Sequence, residues 1–443
     1  HEGQRARPRS VGGRFDPCLD FQASGFPEQI LRYCSGFSKP TPIQSQCWPV
    51  LNAGSDLVGI AETGSGKTLA FSMPGMARLL PKAQSCNRQA PGPQLLVLAP
   101  TRELCSQCAE VMTGVANQAG GTLRVLAVYG GVPKRDQKAA LSRGVHIVVA
   151  TPGRLRDLLQ EGSLSLGQVG YLVLDEADRM LDLGFEEDMR AIIGATPAAT
   201  RQTAMFSATW PLEVRKLASE FLRGGEGTVK VVVGGEKLSS NKNVHQIVDV
   251  VEERQRDGLL RNLLTKYHPE GTNRVLVFAL YKKEAARLEA MIQRAGWKVG
   301  AIHGDKSQRD REAALADFRA CRVPLLVATD VAARGLDIPD VEYVINYSFP
   351  LTIEDYVHRI GRTGRAGQKG VAHTFFHAGD KARAGELQNV LRKAGVEVPE
   401  ELLKFGTHVK KKEHKLYGAF SKDVDMSKKS TKITFSDDSD DDM

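Results

Sequence analysis

The sequence predicts an α/β fold made of two domains in tandem, each built on a parallel β-sheet. Three observations lead to this prediction. A chain of 443 residues is too long for one ordinary hydrophobic core and suits two domains of about 150 to 200 residues. Short apolar runs separated by segments of helical length recur along it, as in parallel strands covered on both faces. The same series of runs then begins again after a polar segment at 234–244.

Apolar runs bounded by Gly, Pro or Asp have the length of strands. In the first half we predict strands within 56–60, 94–100, 123–131, 146–152, 171–178 and 202–209. In the second half we predict them within 274–280, 298–304, 324–330, 343–350 and 371–376. Open parallel sheets bind ligands outside the carboxyl ends of their strands, so we expect the chemistry at those ends.

These runs, and the composition between them, set the predicted domain boundaries. We predict a basic extension over 1–18, a first domain over 19–233, a flexible linker over 234–244 and a second domain over 245–403. The remaining segment, 404–443, carries lysines and then aspartates, and such segregated charge predicts a disordered tail. The tail could hold RNA or only keep the chain soluble. Its candidate phosphorylation sites are Ser436 and Ser439.

The composition indicates a soluble globular protein, with 42% hydrophobic and 25% charged residues. It excludes a bilayer role, because no apolar run approaches the roughly 20 residues of a membrane-spanning helix. The formal charge of +8 favours polyanionic partners such as nucleic acid. Seven scattered cysteines favour a reducing, intracellular compartment over a disulfide framework. Cys105 and Cys108 form a CxxC pair without a second pair, so we expect buried thiols rather than zinc ligands.

The segment AETGSGKT at 61–68 follows the first predicted strand and precedes a helix-like segment. Its glycines let backbone N–H groups turn toward a phosphate, its lysine reaches the terminal phosphates, and its threonine hydroxyl can hold magnesium. The usual pattern begins with glycine, so the motif alone leaves a glycine turn with an exposed lysine as an alternative. The predicted phosphate-binding residues are Ala61, Glu62, Thr63, Gly64, Ser65, Gly66, Lys67 and Thr68.

The run YLVLDEAD at 171–178 delivers acidic residues at the end of an apolar strand. Asp175 would hold magnesium together with Thr68, and Glu176 is the better candidate to orient and deprotonate an attacking water. Solvated strand ends or caps of the next helix are the alternative. The phosphate loop about 110 residues upstream favours the catalytic interpretation.

From Phe21 to Phe376 the chain resembles the DEAD-box family of ATP-dependent RNA helicases. The motifs that carry the resemblance, in the family's order, are GFSKPTPIQ (36–44), PTREL (100–104), GG (130–131), TPGRL (151–155), DEAD (175–178), SAT (207–209), HGDKSQRDR (303–311), ATDVAARGLDI (328–338) and HRIGRTGR (358–365). The family implies two RecA-like domains, ATP and Mg²⁺ as cofactors, RNA-dependent hydrolysis of ATP to ADP and phosphate, and local separation of RNA strands.

The resemblance also assigns roles around the nucleotide. Arg362 and Arg365 would reach the γ-phosphate across the cleft between the domains, and an arginine finger is worth about 10³ to 10⁵ in rate. His358 would link their segment to the acids of the first domain. The resemblance assigns coupling of the acids to Asp178, Ser207 and Thr209, and a contact to ribose to Gly335 and Asp337. It assigns reading of adenine to Gln44. We assign stacking on adenine to Phe21, although the family's usual spacing would select Leu19.

For RNA the family implies a track that contacts phosphates and sugars, without sequence preference. Contacts to 2′-hydroxyl groups would favour RNA over DNA. The implied residues are Thr101, Arg102, Gly131, Thr151, Gly153 and Arg154 in the first domain and Gln308, Arg311, Thr329 and Arg334 in the second. A single Arg or Thr in a loop usually faces solvent without a binding role, so the RNA prediction depends on the whole set of residues and not on any one of them.

Three further stretches resemble a nucleolar subgroup of this family that assists assembly of the large ribosomal subunit. They are SATWP (207–211), KKEHKLYGAF (411–420) and KITFSDDSDDD (432–442). This resemblance implies a nuclear, nucleolar location and pre-ribosomal particles as partners, and we expect a monomer. Two alternatives stay open: a DNA-directed motor of the same superfamily, and an ATP-gated RNA clamp that acts as a scaffold.

Overall fold

The computed structural model describes residues 15–62, 64–85, 92–224, 227–234, 243–330, 341–364 and 368–407. These residues form two α/β domains, one built on a seven-stranded sheet and one on a six-stranded sheet. Every pair of neighbouring strands is parallel. The predicted fold class is therefore confirmed.

The strand order of the first sheet is β3-β4-β2-β5-β6-β1-β7, and that of the second is β10-β11-β9-β12-β13-β8. The strands are β1 (Asp56–Ile60), β2 (Leu95–Leu98), β3 (Val125–Val128), β4 (Ile147–Ala150), β5 (Tyr171–Leu174), β6 (Gln202–Ser207), β7 (Thr228–Val232), β8 (Val244–Val250), β9 (Val275–Ala279), β10 (Gly300–Ile302), β11 (Leu325–Thr329), β12 (Tyr343–Asn346) and β13 (Gly370–Phe376).

Helices connect the strands and cover both faces of each sheet. Those in the described part of the chain are α1 (Glu28–Leu31), α2 (Pro42–Asn52), α3 (Lys67–Ser85), α4 (Arg102–Gln118), α5 (Lys134–Ser142), α6 (Pro152–Gln160), α7 (Ala177–Asp182), α8 (Glu186–Gly194), α9 (Leu212–Phe221), α10 (Arg256–Tyr267), α11 (Lys282–Arg294), α12 (Gln308–Arg319), α13 (Ile353–Ile360), α14 (Ala384–Lys393) and α15 (Glu400–Leu403). Short 3₁₀ turns lie at Gln22–Ser24, Arg32–Cys34, Glu253–Gln255 and Ala378–Arg383.

Burial on both faces explains why most strands are continuous apolar runs. In β4, Ile147 and Val149 belong to the core on one side of the sheet, whereas Val148 and Ala150 belong to the core on the other. A strand with no solvent face favours apolar residues at successive positions. All eleven predicted strands are present, each within or close to its predicted run.

The two strands that were not predicted, β7 and β8, both lie at an edge of their sheet. Lys230 of β7 and His245 of β8 are exposed, so polar residues interrupt the apolar pattern in each. These strands therefore alternate in polarity, and a search for continuous apolar runs misses them. One boundary is corrected as a result, because Val244, assigned to the linker, is the first residue of β8.

The two ends of the described chain correct the other boundaries. Cys18, assigned to the N-terminal extension, is buried in the first core, and its N–H donates to Ser45 O at 2.9 Å. At the other end, Gln388 Nε2 donates to Gly406 O at 2.9 Å. Phe405 and Gly406, assigned to the tail, thus contact the second domain. The rest of the predicted tail, with Ser436 and Ser439, lies outside the described residues.

The thiols of the CxxC pair are buried, as expected. Cys105 and Cys108 are both fully buried on α4. Over the described ranges no group of three or more His, Cys, Asp or Glu side chains could hold a metal ion. Nor does any helix in the same ranges combine the length and the apolar character needed to cross a membrane.

Candidate active site between the two domains

The motifs of the first domain divide along its sheet into two neighbouring groups. Strands β5, β6 and β1 are adjacent and end at DEAD, at SAT and at the phosphate loop. Strands β3, β4 and β2 are also adjacent and end at GG, at TPGRL and at PTREL. Because all these strands are parallel, every motif lies at the carboxyl edge. One half of that edge carries the residues predicted for the nucleotide, and the other half those predicted for RNA.

The phosphate loop folds around its own lysine. Lys67 is buried, and its Nζ donates to Ala61 O at 2.9 Å and to Glu62 O at 2.8 Å. Gly64 and Gly66 have φ values of 78° and 93°, which favour glycine. Lys67 is also the first residue of α3, so the N–H groups at the start of this helix point at the loop.

Helix α2 holds the loop from the side. Gln44 Oε1 accepts from Thr41 N–H at 2.9 Å, and Gln44 Nε2 donates to Gly66 O at 3.1 Å. A Cβ at Gly66 would lie only 2.6 Å from that Nε2, so the loop and Gln44 require glycine there. Phe21 is half-buried, with its ring centroid 5.9 Å from that of Trp48. The structure thus adds a loop contact to the adenine role predicted for Gln44.

The two acids that end β5 are almost completely buried. Burial raises the pKa of Asp175 to about 7, although Lys67 opposes the shift. Burial also raises the pKa of Glu176, against the opposing charges of Arg362 and Lys67. Glu176 has φ 50° and ψ 54°, a left-handed conformation that costs about 1 to 3 kcal/mol for a residue other than glycine. Such strain is typical of functional sites and fixes the direction of this carboxylate.

The predicted magnesium ligands share one neighbour, the buried thiol of Cys108. Cys108 Sγ lies 3.8 Å from Asp175 Oδ2, and the Thr68 side chain hydrogen bonds to the same thiol. A hydroxyl and a carboxylate are hard oxygen donors of the kind Mg²⁺ prefers. The raised pKa of Asp175 indicates a carboxylate that lacks sufficient positive charge. These residues therefore fit Mg²⁺.

The three residues predicted to couple the acids are only partly in contact. Asp178 Oδ2 accepts from Thr209 N–H at 3.0 Å and from Thr209 Oγ1 at 2.7 Å. Ser207 is fully buried, and within the described ranges its Oγ has no hydrogen-bond partner. Asp178 thus ties α7 to the segment after β6.

The turn that carries Arg362 lies at the amino edge of the second sheet. Arg362 Nε donates to His358 O at 3.1 Å, and Thr363 Oγ1 donates to Glu342 O, just before β12, at 3.1 Å. The turn also precedes β13. The expectation that the chemistry lies at carboxyl ends is therefore wrong for this turn, because α13 runs back across the sheet before the turn begins.

His358 lies at the end of α13 in a strongly positive environment. Burial, together with the positive charges of Arg179, Arg362 and Lys67, holds the pKa of His358 well below its usual value. The imidazole is therefore neutral at neutral pH. Arg179 belongs to the first domain and contacts Asp355 of the second, so the two domains face each other across this site.

A buried ion pair joins the domains beside the acids. Arg179 Nη1 donates to Asp355 Oδ1 at 2.8 Å and to Asp182 Oδ2 at 2.7 Å. The side chains of Arg179 and Asp355 are 2% and 6% exposed. The sequence analysis did not identify this pair. Arg179 directly follows DEAD and Asp355 lies three residues before His358, so their positions beside motifs are the only signal that could have found them.

The RNA-track residues of the first domain cluster around the starts of two helices. Thr101 is the N-cap of α4, and its Oγ1 accepts from the Leu104 N–H at 3.2 Å. Thr151 is the N-cap of α6. The guanidinium of Arg102 packs against Gly131, whose φ of 87° favours glycine. The strands that precede these groups are adjacent in the sheet, and N–H donors of two helix starts lie among the predicted residues.

Further along the same edge, Arg154 Nη1 donates to Val132 O at 3.1 Å and to Gln137 Oε1 at 3.2 Å. Gly153 is half-buried in the first turn of α6. In the second domain Thr329 is buried at the end of β11.

Helix α12 brings the other predicted RNA residues against α4. Arg311 Nη1 lies 2.9 Å from Glu103 Oε1, and both side chains are nearly buried. Gln308 Nε2 donates to Glu312 Oε1 at 3.0 Å. Burial raises the pKa of Glu103, and Arg311 opposes that shift. Arg311 is thus part of a domain contact whose acidic partner, Glu103, the sequence analysis missed. The predicted site residues that lie outside the described ranges are Thr63, Arg334, Gly335, Asp337 and Arg365.

Comparisons with known proteins cover both domains. The DEAD/DEAH box helicase family model matches residues 41–217, and the helicase conserved C-terminal domain model matches residues 255–367. DEAD-box ATP-dependent RNA helicase 5 of Oryza sativa subsp. japonica is 53% identical over 98% of this chain and 84% of its own length. ATP-dependent RNA helicase DBP3 of Saccharomyces cerevisiae is 54% identical over 95% of this chain and 79% of its own length.

Two solved structures are similar to the arrangement of both domains together. S. cerevisiae Dbp5 bound to RNA and ADP BeF3 has a TM-score of 0.73 at 28% identity, covering 88% of this chain and 94% of that chain. The DEAD-box helicase Mss116 bound to ssRNA and UDP-BeF has a TM-score of 0.75 at 26% identity, covering 87% of this chain and 81% of that chain.

Proposed function

This chain belongs to the DEAD-box family of ATP-dependent RNA helicases, and from that membership we propose that its two domains close on ATP and single-stranded RNA. Neither domain would hydrolyse ATP alone. One observation carries the proposal: the buried ion pair of Arg179 with Asp355 brings the second domain against the acids of the first, where both Glu176 and Arg362 are buried. The cleavage machinery is complete only when the domains face each other.

In the closed state the residues would share the steps of hydrolysis. Lys67 offsets the negative charge of the bound triphosphate. Glu176 orients a water and accepts its proton as the water oxygen bonds to the γ-phosphorus, and the bond to the bridging oxygen breaks to give ADP and phosphate. Arg362 stabilises the charge on the transferring group, a contribution of roughly 4 to 7 kcal/mol by the usual worth of an arginine finger. Arg365 would act beside it.

Thr68 and Asp175 would hold Mg²⁺. When bound, the ion would neutralise charge on the terminal phosphates. It would also keep Asp175 ionised despite its burial. Neutral His358 would not add a charge, but it can exchange hydrogen bonds between the two domains as phosphate forms.

RNA would lie along the other half of the same edge, across the starts of α4 and α6. The N–H groups of these helix starts and the guanidinium of Arg102 suit phosphate oxygens and do not read bases. Recognition would therefore be independent of sequence. The likeness to Dbp5 and Mss116, both bound to RNA in those structures, supports this placement.

Closure would separate RNA strands locally. If both domains grip one strand and bend it, that strand cannot keep its partner in an A-form helix. Hydrolysis and release of phosphate would then remove the contacts to Arg362 and reopen the cleft. The protein would act as a monomer on short duplexes or on RNA–protein complexes.

The biological setting that the sequence favours is ribosomal RNA processing and ribosome assembly in the nucleolus. The support is the resemblance of SATWP and the C-terminal stretches to a nucleolar subgroup. Crosslinking the protein to cellular RNA and sequencing the bound fragments tests this setting. Pre-ribosomal RNA is the expected product, and a pool without ribosomal sequences would contradict the proposal.

The choice of nucleic acid has a direct test. ATP hydrolysis should be stimulated by single-stranded RNA and much less by single-stranded DNA of the same length and sequence, because the track is expected to contact 2′-hydroxyl groups. Equal stimulation by both would favour a DNA-directed motor. Tight ATP-dependent RNA binding without any hydrolysis would favour a scaffold clamp.

A further inference from the structure

The turn that carries Arg362 rests on the residue where the linker between the domains ends. A Cβ built on Gly364 would lie 2.7 Å from Val244 Cγ2 and 3.3 Å from the carbonyl carbon of Asn243. Both distances are shorter than ordinary contacts, so the backbone of the turn lies directly on the Val244 side chain. Gly364 also has a φ of 70°, which favours glycine.

Hydrogen bonds fix this contact from the other side. Gly370 N–H donates to Asn243 O at 3.0 Å, and Gly370 is the register partner of Val244 where β13 pairs with β8. A Cβ on Gly370 would meet Gly364 N at 2.7 Å. The first residues of β8 and β13 therefore form a floor under the turn, and Val244 supplies its side chain.

The last residue before the linker, Val233, is hydrogen bonded beside the phosphate loop. Val233 N–H donates to Ile60 O at 2.9 Å, and Ile60 is the last residue of β1, directly before the phosphate loop. The described chain thus leaves the first domain beside the strand that holds the phosphate loop, and it enters the second domain at the floor of the Arg362 turn. No other connection between the domains along the chain exists.

We propose that Val244 is a positioning residue for ATP hydrolysis, which sets the position of the Arg362 turn on the first residues of β8 and β13. The inference depends on the proposed role of Arg362. A displacement of about 1 Å at a catalytic group can cost about 100-fold in rate, so one methyl group under the turn is sufficient to matter.

The chain offers a matched control in the same strand. Val248 lies four residues after Val244, on the same face of β8, and both are buried in the same core. Val244→Ala and Val248→Ala each remove two methyl groups from that core. Only Val244→Ala removes atoms that contact the turn.

The test measures kcat and KM for ATP, RNA affinity and thermal unfolding in the full chain. We expect Val244→Ala to lower kcat about tenfold while KM and RNA affinity stay within about twofold. Val248→Ala should lose similar thermal stability and keep kcat within about twofold. Equal kcat in the two variants would overturn the inference.

A second pair of variants uses the close contact itself. Gly364→Ala places a methyl group against Val244 Cγ2 and should lower kcat. Adding Val244→Ala removes the clashing atom, so kcat of the double variant should exceed that of Gly364→Ala alone by at least about threefold. Additive losses would contradict the proposed contact.

Arg362→Ala, measured in parallel, separates the inference from the proposed function. If Arg362→Ala loses turnover and Val244→Ala behaves like Val248→Ala, the arginine finger stands and the positioning role is wrong. If Arg362→Ala keeps normal turnover, the proposed function fails, and the positioning role fails with it.

Discussion

The first domain places buried acids at the cleft between the domains, and the second domain places buried basic residues there. On both sides, burial shifts pKa values toward the neutral form. Burial raises the pKa of Asp175 and Glu176, which disfavours their charged forms. Burial and neighbouring positive charge lower the pKa of His358. Arg362 lies within reach of Glu176 only because the domains face each other. The comparison teaches that each domain holds charge whose partner is in the other.

The largest expected effect comes from the acid of the first domain. Glu176→Gln removes the proton acceptor but keeps the shape of the side chain, so turnover should fall by about 10³-fold while a closed complex with ATP and RNA accumulates. Rapid-quench ATPase assays and RNA retention on a filter measure the two results. Glu187→Gln, an exposed residue of α8, is the control. Normal turnover in Glu176→Gln would remove this residue from its role.

The second domain is tested by Arg362→Ala. We expect kcat to fall by about two or more orders of magnitude, with most ATP affinity kept, because the guanidinium acts mainly on the transition state. Steady-state kinetics and equilibrium binding of a fluorescent ATP analogue separate the two quantities. A collapse of ATP affinity with surviving turnover would show that Arg362 is a binding residue instead.

The contact between the domains is tested by Asp355→Asn. Breaking this buried ion pair leaves Arg179 with only the exposed Asp182 as an acidic partner, and we expect it to cost about 3 kcal/mol, or about 100-fold weaker RNA binding in the presence of ATP. Asp182→Asn is a matched control, since Asp182 also pairs with Arg179 but is 54% exposed and lies in the same domain. Its loss should stay below about 1 kcal/mol. Equal effects of the two variants would mean that the interdomain pair does not stabilise closure.

The acids also predict how pH and Mg²⁺ interact. Asp175 ordinarily titrates near 3.8, and burial raises its pKa to about 7, so between these values the folded protein holds a proton that Mg²⁺ must displace. Lowering the pH from about 7 to about 6 should raise the half-saturating Mg²⁺ concentration about fivefold. Above about pH 8 the dependence should vanish. Titration of nucleotide binding with Mg²⁺ at several pH values measures this shift, and a flat profile would contradict it.

The smallest effect is expected at the exposed end of the contact between α4 and α12. Arg319 Nη1 lies 3.5 Å from Glu110 Oε2, and the two side chains are 30% and 61% exposed. Reversing either charge should change RNA affinity by less than about 1 kcal/mol, and reversing both should restore it. A larger loss would show that closure depends on this surface as much as on the buried pair.

The sequence predicted the interior of the fold better than its edges. Strands β2, β4 and β5 have no polar position because both faces are covered, so their runs were unambiguous. The edge strands β7 and β8 alternate in polarity and were missed. In the same way, motif residues at strand ends were correctly placed in the first domain, because parallel strands bring their carboxyl ends together.

The sequence did not predict the contacts between the domains, because these contacts depend on how two separately folded units dock. Arg179 and Asp355 lie 176 positions apart, and no pattern within either domain indicates that they meet. The place of the Arg362 turn depends on how far α13 runs before it ends. Both are properties of three-dimensional packing rather than of local periodicity.

The division of the first sheet has a consequence for communication between ligands. The residues predicted for the nucleotide and those predicted for RNA lie side by side on one sheet, with β2 and β5 hydrogen bonded at the boundary between them. ATP and RNA would therefore be held at a constant separation on this sheet, and neither would need to deform the sheet to affect the binding of the other. Any cooperativity between ATP and RNA must then arise from the position of the second domain, which contacts both halves of this edge. By thermodynamic reciprocity, each ligand would increase the affinity for the other by the same factor.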